Sequence, residues 1–423
     1  MNNRGFFLQE TDTNAIWHPF ALPGSQNIVI KKSKGIYLYD TANKKYIDAV
    51  SSWWVNVHGH GNTRLKNALN RQFRKTDHII FSGFTHEPAI RLAKSLLTKT
   101  GNLYDKVFYS DNGSTAVEVA LKLAIQYLGR DSKNIKIVSI EHAYHGDTFG
   151  AMSAGGKNLF NSAFEGFLFD SIQIPLPSTG NLSESLKTLE NACSEGPVVF
   201  IYEPIIQGAG GMNMYDYHLL NQILAFLKTR KTVCIADEVM TGFYRTGRFL
   251  ASDYVETKPD LICLSKGLTG GILPLGATLI SKKIVDAFIN LEPAKRFYHG
   301  HSYTGNPLAC AVANESLLLF DKKTLDNIDQ IAECHLEFST LLTRNKKITN
   351  VAVCGTILRF EINAGKTGYD NSLRDRIYTY FIEKGILLRP LGNVIYVMPP
   401  YIITKKELKK IYKTIEGFLA TLD

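Results

Sequence analysis

The stretch IADEVMTGFYRTGRF, residues 235–249, ends an apolar run on an Asp-Glu pair, and LICLSKGLTGG, residues 261–271, ends the next run on a single lysine. A charge at a strand tip is either solvated or faces a ligand from the edge of a sheet. Lys266 becomes a nucleophile if desolvation or a neighbouring cation lowers its pKa from about 10.4, and it then condenses with an aldehyde to a Schiff base. Asp237 opposite it can keep a ring nitrogen protonated and so maintain an electron sink. Taken alone, each residue reads better as an ordinary strand-end charge; the stretches that follow reverse the balance.

Other stretches bear on that choice. SDNGSTAVEVALK sets Gly113, Ser114 and Thr115 where a strand gives way to an amphipathic helix. Free N–H groups and the helix dipole make such a junction a phosphate cradle, although Ser114 would also serve as a plain N-cap. No GxxxxGK[ST] occurs, and GAGGMN (208–213) does not complete GxGxxG. EHAYHGDT supplies His142, Tyr144, His145 and Asp147, which read either as a metal site or as an aromatic ring stacked on a flat cofactor with Asp147 beside it. HGHG (58–61) and HGHS (299–302) raise the same question, and the loop reading without metal is the expectation.

The elements that must position these residues follow from periodicity. KVFYS, IKIVSI, VVFIYEP, TVCIADE, DLICLS and GATLIS are short apolar runs, separated by helical stretches such as STAVEVALKLAIQYL (114–128). Buried strands alternating with helices predict an α/β domain with a mainly parallel sheet. In such sheets ligands bind beyond the carboxyl ends of the strands, which is where Asp237 and Lys266 fall. GIYLYDTANKKYIDAV predicts an N-terminal antiparallel hairpin, and the chain after about residue 310 a smaller α+β domain. The expected units are 1–50, joining the small domain, then 51–310 and 311–423.

The 423 residues carry a net charge of +9, but the lysines are scattered in pairs, so a solvated surface is expected rather than a nucleic-acid partner. Six cysteines without a CxxC suit a reducing compartment. The absence of an apolar leader at MNNRGFFLQETDTN, and of any long apolar run, predicts a cytoplasmic protein without a membrane partner.

The order Gly113-Ser114, Tyr144-His145-Gly146, Glu203, Asp237-Glu238-Val239, Lys266 and TGNPLA (304–309) resembles that of the class III, pyridoxal-phosphate-dependent aminotransferases over nearly the whole chain. IWHPF (16–20), SSWWVNVHGHG (51–61) and LRPLGNVIYVMPPY (388–401) narrow the resemblance to the branch that converts 8-amino-7-oxononanoate to 7,8-diaminononanoate in biotin biosynthesis. The resemblance implies fold type I, with a mainly parallel seven-stranded sheet in the large domain, and pyridoxal 5'-phosphate as cofactor. Lys266 would carry the cofactor and shuttle the proton, Asp237 would pair with its ring nitrogen, and Tyr144 and Val239 would pack around the ring. Gly113 and Ser114 would bind the phosphate. Gly300, His301 and Ser302 would reach it from a partner subunit, which implies a homodimer with active sites at the interface. Phe20, Trp53, Trp54, Asp147 and Tyr396 would line the substrate pocket, Arg389 would clamp the keto acid's carboxylate, and Arg245 would lie near the amino donor. Phe20 stands where this branch usually has Tyr, and His301-Ser302 where it has Pro-Thr; both changes resemble the lysine-using branch, whereas the intact SSWW favours S-adenosylmethionine. S-adenosylmethionine is the expected donor, with lysine or another class III ω-aminotransferase reaction as the alternative.

Overall fold

The computed structural model describes residues 3–129, 134–157, 159–289, 291–365, 368 and 371–422. Seven strands form the central sheet, in the spatial order Tyr104–Ser110, Gly276–Ser281, Leu261–Leu264, Thr232–Asp237, Val198–Tyr202, Lys136–Ile140 and Ile172–Ile174. Only Gly276–Ser281 runs against its neighbours. Six of the seven coincide with the apolar runs of the sequence. The three-residue edge strand Ile172–Ile174 is too short to leave a periodic signal.

Both faces of the sheet are covered, and alternate residues go to opposite sides. Phe200, Tyr202, Cys234 and Ala236 enter one core; Val199, Ile201, Val233 and Ile235 enter the other, under the helix Gly113–Leu128. Burial on two faces is why these strands read as unbroken apolar runs instead of alternating ones.

A third core joins the two ends of the chain. Ile36 and Ile47, from the N-terminal hairpin, pack with Phe360, Ile395 and the apolar face of the C-terminal helix Lys405–Leu419. The hairpin strands Tyr37–Asp40 and Lys45–Asp48 are antiparallel, as expected, and Lys45–Asp48 pairs in parallel with Ile386–Leu387. Among the described residues no helix is long and apolar enough to cross a membrane.

Candidate active site

The carboxyl ends of four adjacent strands converge on one cavity of about 810 Å³, a size suited to a cofactor together with a substrate. Tyr202 is followed by Glu203, Ile140 by the Tyr144 loop, Thr232–Asp237 ends on Asp237, and Leu264 leads to Lys266; all four side chains line the cavity. Pairing of Asp237 with Cys263 in register brings the two opening stretches together. The Asp-Glu pair divides. Asp237 faces the cavity, while Glu238 is fully buried away from it, where it accepts from Thr241 Oγ1 (2.6 Å), Ala251 N (3.0 Å) and Ser252 N (2.6 Å). It pins the loop that follows the strand.

Two donors aim Asp237. His145 Nδ1 lies 2.8 Å from Oδ2, and Val239 N donates to Oδ1 at 3.1 Å. Glu203 accepts from Tyr144 N (3.1 Å) and Gly208 N (2.7 Å), so one carboxyl group ties two walls of the cavity. Burial raises its pKa to about 7; His145 and the two N–H donors oppose the rise and Asp237 adds to it. Lys266 is pushed down to about 8 by desolvation, against the pull of Asp237 and Glu203. Its Nζ lies over the Trp54 ring, 4.4 Å from the centroid, an arrangement that holds a cation without a counter-ion. The lowered pKa enlarges the fraction of Lys266 present as free amine at pH 7 relative to an unperturbed lysine.

The helix Gly113–Leu128 supplies the anion cradle. Its N-cap is Asn112, in a capping box with Thr115, so Ser114 is released from the capping role left open by the sequence. Ser114 Oγ instead accepts from Asp147 N at 3.3 Å. Gly146 (φ +131°) packs on Ser114, where a Cβ would meet Oγ at 2.0 Å. A Cβ on Gly113 would meet Val239 Cγ1 at 2.6 Å. Free first-turn N–H groups, a flat wall and an amine facing a carboxylate fit a phosphorylated aromatic aldehyde. Gly113→Ala is expected to destabilise the protein by about 1–3 kcal/mol and to weaken cofactor binding. Adding Val239→Ala should restore stability, as thermal unfolding and a spectrophotometric titration would show.

The substrate wall comes from SSWW, and its backbone carries no sequence warning. Ser51, Ser52, Trp53 and Trp54 all have positive φ (50°, 46°, 67° and 75°), a left-handed turn without a glycine. Each such residue costs roughly 1–2 kcal/mol, so the surroundings must hold the turn. It presents Trp53 to the Arg389 guanidinium, 4.1 Å from the ring centroid, and Trp54 to Lys266. Phe20 packs edge-on to Trp53 at 5.4 Å and to Phe160 at 6.0 Å, and Tyr144 meets Phe160 at 5.9 Å. Phe160 thus joins the aromatic wall, although nothing around it in the sequence marks it. Tyr144 stays protonated, through burial and through the Asp147 carboxylate that its hydroxyl contacts. Tyr396 receives the Trp54 Nε1–H bond at 3.0 Å.

Arg245 lies behind this wall. It is 1% exposed and does not line the cavity; its guanidinium donates to Pro399 O (2.9 Å) and Trp54 O (3.3 Å) behind the wall. Gly300, His301 and Ser302 also lie outside this chain's cavity lining, with His301 Nε2 4.0 Å from Asp111 Oδ1. The HGHG histidines are engaged by protein: His58 meets Ser316 Oγ (2.9 Å) and His60 meets Asp48 Oδ2 (2.9 Å). Among the described residues no three His, Cys, Asp or Glu side chains converge on a metal position.

Comparison with known proteins agrees with the geometry. The family described as "Aminotransferase class-III" matches residues 21–419. The adenosylmethionine-8-amino-7-oxononanoate aminotransferase of Synechococcus elongatus is 43% identical over 96% of this chain and 98% of its own. That of Helicobacter pylori is 38% identical over 98% of each. The crystal structure of the Methanocaldococcus jannaschii protein of the same name superposes with a TM-score of 0.91 at 36% identity, covering 97% of this chain and 99% of that one. Lys266 and Asp237 therefore sit in a cavity whose family is known: this chain belongs to the class III aminotransferases and works with pyridoxal phosphate.

Proposed function

We propose that the chain transfers an amino group to the C7 carbonyl of 8-amino-7-oxononanoate, giving 7,8-diaminononanoate for biotin synthesis, with S-adenosylmethionine as donor. One observation carries the reading. The same cavity offers a desolvated amine facing a fixed carboxylate and, separately, a guanidinium laid on an indole, which suits a substrate with a carbonyl at one end and a carboxylate at the other.

Pyridoxal phosphate, when bound, supplies an aldehyde that condenses with amines and a ring that stores the electron pair left as a Cα–H bond breaks. Lys266 Nζ would hold the cofactor between turnovers, take the proton from the donor's amine-bearing carbon, and return one to C7 of the acceptor in the second half of the ping-pong cycle. Asp237, fixed by His145 and Val239 N, would keep negative charge against the ring nitrogen. Gly113 and Ser114 N–H groups would hold the phosphate, Tyr144 and Val239 would bound the ring, and Trp54 confines the Lys266 amine. Arg389 on Trp53 holds the substrate carboxylate, while Phe20, Asp147 and Tyr396 close the remaining wall.

The active unit is a homodimer in which Gly300, His301 and Ser302 complete the partner's phosphate site. Exposed Ile80, Phe84, Ile90 and Tyr303 support this, and His78 packs on Tyr303, linking their loop to the one bearing His301. Cysteine usage supports a cytoplasmic location. A single-turnover experiment tests the donor: the yellow holoenzyme is mixed with S-adenosylmethionine or with lysine, and absorbance is followed. Bleaching by S-adenosylmethionine alone is expected. Bleaching by lysine alone, the outcome that Phe20 and His301-Ser302 would favour, overturns the donor assignment.

A further inference from the structure

We infer that Asp48 is a positioning residue for carboxylate recognition: with Ser52 and His60 it latches the left-handed turn Ser51–Trp54 so that Trp53 stays beneath Arg389. The inference rests on the reading of Arg389 as the carboxylate clamp. Asp48 is fully buried, and both of its oxygens are used. Oδ1 accepts from Ser52 N at 2.9 Å and Val50 N at 3.3 Å; Oδ2 accepts from Ser52 Oγ at 2.7 Å and from His60 Nε2 at 2.9 Å. Asn56 Nδ2 donates to His60 Nδ1 at 3.0 Å, which leaves Nε2 as the protonated nitrogen facing Asp48. Backbone bonds between His60 and Gly35, 2.9 and 2.6 Å, tie the imidazole's segment to the N-terminal hairpin.

The same hairpin sets the other half of the clamp. Asp48 is the register partner of Leu387, two residues before Arg389, and Ala49 N donates to Leu387 O at 3.0 Å. One strand pairing therefore fixes the latch relative to Arg389, and the latch fixes Trp53 relative to both. Trp54 is held by other bonds: its amide to Val50 O (2.9 Å), its indole N–H to Tyr396 (3.0 Å) and its carbonyl from Arg245 (3.3 Å). Loosening Ser52 should therefore free Trp53 while leaving Trp54 and Lys266 in place. A left-handed turn of four residues without glycine persists only where its environment over-determines it, and the Asp48 carboxylate accounts for the bonds to Ser52.

Asp48→Asn is expected to speed hydrogen exchange at the Ser52 amide by roughly tenfold or more. It should raise KM for 8-amino-7-oxononanoate by about tenfold with kcat within about twofold. Adding Ser52→Gly, which adopts positive φ without steric cost, should bring KM back toward the wild-type value. If Asp48→Asn does not fold, Ser52→Ala removes one of the four bonds and should raise KM by about threefold. Unchanged Ser52 exchange, unchanged KM, or a KM that glycine fails to restore overturns the latch. Arg389→Lys separates the two readings. A raised KM there with none in Asp48→Asn removes the latch alone, whereas an unchanged KM in Arg389→Lys removes the clamp and with it the latch's proposed purpose.

Discussion

Lys266→Ala is expected to lower kcat by at least ~10⁴-fold, since one side chain both carries the cofactor and moves the proton. Borohydride reduction of the wild-type holoenzyme should fix the cofactor on the peptide containing Lys266, and none should be fixed on that peptide in the variant. Cofactor trapped on another lysine, or residual turnover above a thousandth of wild type, would contradict the assignment. The substitution should also stabilise the cofactor-free protein. The folded pKa of Lys266, about 8, lies below the ordinary lysine value of 10.5 because burial disfavours the ammonium. Below pH 8 both folded and unfolded chains bind the proton and the penalty is present in full. Between about pH 8 and 10.5 the unfolded chain binds more protons, so this penalty disappears as pH rises. Removing the amine should therefore stabilise the apo protein near pH 7 by on the order of 2 kcal/mol, after allowance for the side chain's opening onto the cavity, and by less at pH 10. Thermal unfolding of both apo proteins across this range is the measurement.

Asp237→Asn is expected to lower kcat by about 10²–10³-fold with little change in fold, because the amide is isosteric but carries no charge to hold against a ring nitrogen. The geometry is unforgiving. Oδ2 accepts from His145 Nδ1 at 2.8 Å, and an amide NH₂ there would oppose one donor with another unless the imidazole changed tautomer. The charge also acts on its neighbours. Asp237 raises the pKa of Lys266 and of Glu203, so its loss should shift both groups downward. Asp237→Glu keeps the charge but displaces it, and should retain more activity than Asn. Equal activities for the two variants, or an Asn variant within tenfold of wild type, would show that the carboxylate's charge is not what the reaction uses.

Sheet, helices and principal chemistry could be read from the chain because each left a periodic or end-of-run signal. Strands buried on both faces show as apolar runs, the helix Gly113–Leu128 shows as 3.6-residue spacing, and Asp237 and Lys266 stand where those runs stop. Glu203 also stood at a strand end, but its task was hidden, since bonding to Tyr144 N and Gly208 N depends on loops folding over it. Arg245 was placed near the donor by resemblance alone, and its bonds to two carbonyls behind the wall left no signal in the sequence.

By itself the sequence determined which residues can do chemistry and along which edge of the sheet they fall, because strand and helix periods are local properties of the backbone. Tertiary structure alone decided that Glu238 turns away from the cavity and that four residues without glycine take positive φ at SSWW. These outcomes depend on hydrogen bonds between segments apart in sequence, His60 to Asp48, Ser252 to Glu238 and Arg245 to Pro399 among them. No propensity records such bonds, because their free energy exists only once the partners have been brought together.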